Sequence, residues 1–326
     1  MTISALFPPP SFPQDNPLTE EGVALGKKLF FDKGLSSDGT VSCATCHRGN
    51  DAFADSLHAI TPGVAGEVGR RNAMPLFNLA WRRGFFWDGR TTVIREQVFH
   101  PITDPKEMNQ PVDGLMNRIA KDPGYKKAFA AAFGTKPITS ATLGLALEQF
   151  LLVQISQDSK FDRARRGETT FTQQEERGLE LFFTEYDPGR GIRGADCFHC
   201  HGNTLFTTER FANNGLDAGD GKDLGRFEVT GREYEKWCFK IPSLRNVELT
   251  PPYMHDGRFR TLEEVIEHYD HGVKESRTLD PNLAKHQGAI NLSPEDKQAL
   301  IAFLKTLTDE AFVKRAKEQE SQAQKP

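Results

Sequence analysis

The chain has 326 residues, 37 % hydrophobic and 26 % charged, enough length for two ordinary cores and the balance of a globular protein facing water. A net charge of −4, a pI near 6.2 and a mean hydropathy of −0.53 exclude the basic surface that a nucleic-acid partner needs. No run approaches the ~18 consecutive apolar residues of a membrane-spanning helix.

Taken in chain order, residues 1–13 show no basic segment followed by an apolar one, so no signal peptide is visible. Pro8, Pro9, Pro10 and Pro13 predict an extended arm. A helix is predicted from Glu20-Glu21-Gly22 through Lys28-Leu29-Phe30-Phe31, followed by Cys43-Ala44-Thr45-Cys46-His47 and a Gly-rich loop over 62–69. Residues 139–155 form a long apolar helix, and a charged, Gly-ended stretch at 163–167 marks the boundary between domains 1–165 and 166–326. Thr172 and Glu175 have capping-box spacing and open a helix through Gly178 to Leu181-Phe182-Phe183. Then come a loop at 188–194, the motif Cys197-Phe198-His199-Cys200-His201, and a loop at 213–225. Thr261 and Glu264 cap a helix over 261–272 that carries His268, Tyr269 and His271. Ser293 and Pro294 start a helix over 294–308 with Leu300, Phe303, Leu304 and Leu307 on one stripe, and the polar residues after Val313 read as a helix tail. The helix before each Cys pair repeats, with a Gly about 20 residues ahead of the first Cys in each copy. No alternation supports a sizeable sheet. The expected fold is mostly α: two cytochrome c-like domains with long loops.

Both five-residue motifs are C-x-x-C-H, the attachment signal for haem c, in which two thiols take up the vinyl groups and the histidine ligates iron. A thiol redox pair or zinc would use the same residues, but zinc pairs are spaced about 15–20 residues apart and these stand about 150 apart. Two covalent haem c groups are therefore expected, on Cys43, Cys46 and His47 and on Cys197, Cys200 and His201. Only Cys238 remains, so no disulfide is expected; it reads as a small buried hydrophobe. Haem c is attached outside the bacterial cytoplasmic membrane, which predicts a periplasmic protein whose leader was removed before this numbering begins.

The second axial ligand decides whether each iron is closed for electron transfer or open to an oxidant. Methionine is the usual closing ligand, and the last methionine here is Met254. In the helix that follows, successive residues point about 100° apart, so only one of His268, Tyr269 and His271 can face a given iron. Met254, His268 and Tyr269 stay open as ligands of the second iron.

Further motifs carry a family resemblance over nearly the whole chain. They are Gly69-Arg70-Arg71-Asn72, Phe86-Trp87-Asp88-Gly89-Arg90, Glu107-Met108, Pro242-Ser243-Leu244-Arg245-Asn246-Val247, Pro252-Tyr253-Met254-His255-Asp256-Gly257 and Ala302-Phe303-Leu304-Lys305-Thr306-Leu307-Thr308. With the haem motifs, they make the chain resemble the bacterial di-haem cytochrome c peroxidase superfamily, in its MauG-like branch. In ordinary members a methionine about fifteen residues after the Pro-Tyr-x-His-Asp-Gly run closes one haem; the matching position here is Tyr269, as in the MauG-like branch. The resemblance implies His201 and Tyr269 on the second iron. A phenolate is a hard anionic ligand that lowers the potential and stabilises oxidised iron, where methionine does the reverse.

The removable histidine that ordinary members place opposite the first haem has no counterpart in residues 64–68, and His58 does not match its position. An open or water-bound first iron, needing no reductive activation, is expected; His58 and His100 read as surface or core residues. The resemblance further implies that Glu107 is the distal acid–base group, with Gln97 and Pro101 in the same pocket, and that Trp87 lies between the haems. It also implies calcium held by the Asn72 side chain and the Thr250 and Pro252 carbonyls. Oxygen donors of that kind suit a hard cation. Arg70, Arg71, Arg82 and Arg83 read as propionate partners or solvated charges rather than as a docking patch.

The expected activity is oxidation driven by hydrogen peroxide, with oxidising equivalents held on the His/Tyr haem through Trp87. The electrons come from a small redox protein or from a protein substrate. The competing class is a non-catalytic di-haem electron carrier with both irons closed. A high-spin ferric band and cyanide binding at one haem separate the enzyme from the carrier.

Overall fold

Helices carry the architecture, and the strands among the described residues are four two-residue pieces in two antiparallel pairs, Tyr186–Asp187 with Ile192–Arg193 and Phe211–Ala212 with Phe239–Lys240. The computed structural model describes residues 2–323, so Met1 of the N-terminal arm and the last three residues of the C-terminal tail lie outside the described residues. The caps read from sequence are present. Thr172 with Glu175, Thr261 with Glu264, and Ser293 ahead of Pro294 start the helices Gln173–Phe183, Leu262–Glu267 and Pro294–Lys305. The apolar helix expected over 139–155 is Ser140–Leu152, started by a Thr139/Thr142 capping box.

The chain divides into two compact units, at Ser156/Gln157 rather than at 165/166. The helix Lys160–Arg165, which a boundary at 165/166 leaves in the first domain, belongs to the second. Its Phe161 ring sits 5.0 Å from Phe206 and 6.0 Å from Phe303, and its Asp162 is buried against Arg245. Three segments also change membership. Residues 2–8 and Phe86–Arg90 belong with the second unit, and residues 311–323 belong with the first, where Phe312 packs on Phe53 and Phe77.

In the first unit, helix Glu20–Phe31 runs along Ser140–Leu152; in the second, Gln173–Phe183 runs along Pro294–Lys305. Each pair is held close by one glycine. A Cβ at Gly26 would lie 2.0 Å from the Ala146 carbonyl oxygen, and one at Gly178 would lie 1.9 Å from that of Ala299. Gly26, not Gly22, is therefore the partner of Gly178 in the repeat; Gly22 meets only the Gln149 side chain. Beside each glycine stands the same aromatic pair: Phe30 with Phe150, and Phe182 with Phe303, each with ring centroids 5.1 Å apart. A third ring completes each core, Phe53 at 5.7 Å from Phe30 and Phe206 at 5.8 Å from Phe182. Burying three such side chains contributes about 1.5–3 kcal/mol per ring, which explains why these positions repeat.

Candidate haem sites and their axial positions

Each C-x-x-C-H motif is one helical turn, Cys43–Cys46 and Phe198–His201, with the histidine N–H donating back to the first cysteine carbonyl at 2.9 Å and 3.0 Å. That turn puts both sulfurs on one face, because residues three apart are neighbours on a helix. The two histidines are then fixed in the same way. His47 Nδ1 donates to the Phe53 carbonyl at 3.1 Å and His201 Nδ1 to the Phe206 carbonyl at 2.8 Å. Donation from Nδ1 leaves the lone pair on Nε2, the tautomer that a metal-binding histidine needs. The carbonyl in each case belongs to the third ring of the aromatic core, so packing of that ring sets the imidazole's orientation. Both phenylalanines adopt positive φ, 59° and 52°, which turns the carbonyl toward the histidine. A second donor, Leu76 N–H or Leu244 N–H, reaches the same two carbonyls at 3.2 Å.

Burial pushes His47 and His201 down to about 4, so both imidazoles are neutral, and pushes Cys43, Cys46 and Cys197 up to about 12 and Cys200 to about 11. Thiols held neutral in this way are the reverse of a reactive thiolate pair. None of the five cysteines is paired in a disulfide. Among the described residues, neither group of converging His, Cys, Asp and Glu atoms includes a motif cysteine, so the sulfurs do not converge as a zinc site would require. The motif cysteines, His47, His201 and Tyr269 are enclosed by protein yet keep accessible surface, as the walls of a crevice do. The residues fit a covalently held haem at both motifs.

The repeat extends beyond the aromatic cores to a pair of loops. The loop from Phe85 to Thr91 and the loop from Tyr253 to Phe259 are each closed by an antiparallel bridge at the same register. Phe86 and Met254 have φ of 65° and 74°, Gly89 and Gly257 of 66° and 67°, and in each loop the Arg is paired with the Asp two residues before it. Trp87 therefore stands where His255 stands. Fourteen residues after each comes Pro101 in one copy and Tyr269 in the other. One copy offers a side chain with no donor atom, the other a phenol.

Tyr269 lies on a π-turn, His268–Gly272, not on the continuous α-helix expected over 261–272. Such turns redirect side chains and recur at functional sites. The turn leaves His271 exposed beside Asp270, and His268 Nε2 donates to the Asn214 carbonyl at 3.0 Å. Tyr269 lies within electrostatic reach of Cys200 and Cys197, and burial raises its phenol to about 12. Asn214 Nδ2 lies 3.4 Å from Tyr269 Oη and 3.4 Å from Met254 Sδ, so the two remaining ligand candidates share one neighbour.

In the first unit, Gln97 ends the helix Ile94–Gln97, Pro101 lies in Phe99–Thr103, and the chain folds back so that Met108 N–H donates to the Pro101 carbonyl at 3.0 Å. Glu107, half-buried, is brought within electrostatic reach of Cys43 and Cys46. Its carbonyl accepts Val64 N–H at 2.8 Å, and a Cβ on Gly63 would lie 2.3 Å from that carbonyl oxygen. The glycine lets the 62–68 loop lie directly on the Glu107 backbone. In the second unit, Trp87 is buried and its carbonyl accepts Lys240 N–H at 2.7 Å.

A family model described as di-haem cytochrome c peroxidase matches residues 20–170. The methylamine utilization protein MauG of Methylorubrum extorquens is 38 % identical over 301 residues, covering 91 % of this chain and 81 % of that protein. The chain belongs to the di-haem cytochrome c peroxidase family.

Within this family it falls in the MauG-like branch and is a peroxide-dependent di-haem oxidoreductase. The cytochrome c551 peroxidase of Nitrosomonas europaea is 32 % identical over 288 residues, covering 87 % of this chain and 79 % of that protein. A solved MauG-like protein associated with microbial copper homeostasis superposes with a TM-score of 0.87 at 34 % identity, covering 95 % of this chain and 96 % of that one. Family membership implies two haem c groups.

Of the other expected residues, Asn72 is buried and its amide donates to the Ala59 carbonyl at 3.0 Å, while Thr250 is half-buried and Pro252 buried. His58 is exposed and bonded to Asp55, and His100 is exposed. Cys238 is buried. Among the described residues no helix is long and apolar enough to cross a membrane. Sequence reasoning missed the Phe53 and Phe206 carbonyls, the correspondence of Pro101 with Tyr269, and Asn214. The shared Asp-Gly-Arg of Trp87-Asp88-Gly89-Arg90 and His255-Asp256-Gly257-Arg258 was a signal that could have revealed the second of these.

Proposed function

We propose that haem c is held by Cys43, Cys46 and His47 in one unit and by Cys197, Cys200 and His201 in the other, as two cytochrome c-like domains, with Tyr269 as the second axial ligand of the latter. The first is left open to hydrogen peroxide. The observation that carries this reading is the pairing of Pro101 with Tyr269 at one position of the repeat. Bound haem supplies the redox chemistry; the chain's residues decide what reaches each face.

At the open site, proline presents no lone pair, so nothing from that position competes with an incoming oxidant. Reducing peroxide to two waters takes two electrons and two protons. Glu107 carries the proton from the inner to the outer oxygen, with Gln97 lining the same pocket. A carboxyl kept from bulk water suits that transfer near neutrality. At the other site, Tyr269, whose phenol burial raises to about 12, would give up its proton to serve as a phenolate ligand of the haem held there. Hard anionic oxygen favours the oxidised metal, so this site stores oxidising equivalents where a thioether would release them. Buried Trp87 serves as the intermediary for electrons.

In the same reading, Asn72, Thr250 and Pro252 furnish oxygen ligands for calcium. The protein works in the periplasm, and electrons come from a small redox protein or from aromatic residues of a protein substrate. The test is a peroxide titration of the holoprotein with candidate donors, comparing wild type with Glu107→Gln and Tyr269→Met. Glu107→Gln should slow peroxide consumption by about 10²–10⁴-fold with the ferric spectrum unchanged. Tyr269→Met should spare turnover of a small cytochrome while abolishing oxidation of a protein substrate; equal retention of both overturns the storage role.

A further inference from the structure

Asn214 lies in a loop that no motif of the sequence singles out, yet it is the residue that touches every candidate ligand of the second site. Its carbonyl oxygen accepts His268 Nε2–H at 3.0 Å, which removes that imidazole nitrogen from competition. Its amide nitrogen lies 3.4 Å from Tyr269 Oη and 3.4 Å from Met254 Sδ.

The neighbours of Asn214 are fastened in place. Asn213 Nδ2 donates to Ser276 Oγ at 3.0 Å and to Thr278 Oγ1 at 2.9 Å, and the Asn213 carbonyl accepts Asp280 N–H at 3.0 Å. Gly215 closes the turn: its N–H donates to Asn213 Oδ1 at 2.9 Å and its carbonyl accepts Lys274 N–H at 2.8 Å. A Cβ on Gly215 would lie 2.7 Å from Val273 Cγ1, so only glycine admits this approach, and its φ of 69° is one that glycine tolerates. The segment 213–215 is thereby tied to the chain that leaves the π-turn, the same turn that carries Tyr269. An amide held this firmly loses little entropy in making its hydrogen bond.

We propose that Asn214 is a positioning residue whose amide donates to the Tyr269 oxygen, holds that oxygen rather than the Met254 sulfur at the second axial site, and tempers its donor strength. This rests on the reading of Tyr269 as ligand. Oxygen is the better acceptor of the two, because a thioether accepts hydrogen bonds only weakly. A hydrogen bond to a charged oxygen withdraws electron density from it, so the phenolate donates less to iron and the reduced state is less disfavoured. The chain thus carries two opposed settings at one atom: the hard ligand lowers the potential, and Asn214 restores part of it.

The experiment uses the holoprotein, with resonance Raman detection of phenolate–iron modes and spectroelectrochemical titration of each haem. Asn214→Leu removes the donor at similar volume, and Asn214→Ser leaves a polar side chain too short to reach. In both variants the ferric form of the Tyr269-side haem should be favoured by about tenfold, a fall of ~59 mV for one electron, with the other haem unmoved. Replacement of the phenolate modes by a thioether-to-iron band in either variant supports the same role, because the donor then decides between the two ligands. Phenolate modes and potential both unchanged in the two variants overturn the proposal while leaving Tyr269 as ligand. Absence of phenolate modes from the unmodified holoprotein overturns both. A shift of equal size at both haems also overturns it, since that marks a general structural change.

Discussion

Gly178→Ala should lower the thermal transition of the holoprotein by about 4–12 °C, although alanine is the better helix former. The new Cβ would lie 1.9 Å from the Ala299 carbonyl oxygen and 2.7 Å from Phe303 Cβ. Nothing flexible stands there to swing aside, because the nearest atoms belong to backbone and a ring-bearing carbon. The helices Gln173–Phe183 and Pro294–Lys305 must part by about 1–1.5 Å to reach ordinary contact. A gap of that size forfeits a quarter to a half of the dispersion attraction across the interface, where Phe182, Phe303 and Phe206 meet. Overpacking of this kind costs about 1–3 kcal/mol, and a backbone obstacle belongs at or above the upper end; the helix-propensity gain returns about 1 kcal/mol. The net loss is about 2–3 kcal/mol, which at ~2–4 °C per kcal/mol for units of this size gives the stated shift. Gly26→Ala, facing Ala146 at 2.0 Å, should cost the same in the first unit. Gly114→Ala is the control: its Cβ meets only the Gln110 side chain at 3.6 Å, so the melting temperature should hold or rise slightly. Calorimetry or far-ultraviolet circular dichroism reads all three. Gly178→Ala melting within 1 °C of wild type would refute the argument that backbone contact through glycine sets the repeat.

Asp162→Ala should destabilise the second unit by about 3–5 kcal/mol, because it leaves the Arg245 guanidinium, which has no exposed surface, without its bidentate partner; a urea midpoint close to wild type would contradict this. In the wild type, burial works to raise the Asp162 carboxyl, but Arg245 and Ser159 outweigh it and hold the group below the ordinary carboxylate range. A depressed folded-state value means that the unfolded chain takes up protons first as pH falls. The Asp162 contribution is therefore intact above about pH 4 and is lost below it, and an acid titration of wild type against Asp162→Asn should show the two stability curves converging.

The cofactor chemistry was legible because covalent attachment is local: two cysteines and a histidine within five residues either are present or are not. The capping boxes at Thr172 and Thr261 were legible for the same reason, since each acts over one turn. Membership of the two units was not. Phe86–Arg90 and the chain from Ala311 are assigned by what they pack against, Phe312 on Phe53 and Phe77 for example, and no local pattern encodes a partner far away in sequence. The glycine register went astray because matching acidic residues drew Gly22 into line with Gly178, whereas the deciding fact is a helix crossing. The π-turn at Tyr269 was hidden for a related reason. Residues 261–272 have an ordinary helical pattern, and the wider turn arises where His268 is drawn to the Asn214 carbonyl.

The measurement that bears most directly on the asymmetric pair of sites is a cyanide titration of the fully oxidised holoprotein, followed by absorption and electron paramagnetic resonance. In the proposed arrangement, in which Tyr269 closes one iron and Pro101 leaves the other open, one cyanide should bind per chain, converting a high-spin signal and leaving a second, low-spin signal untouched. Two cyanides per chain, or none, would contradict the account.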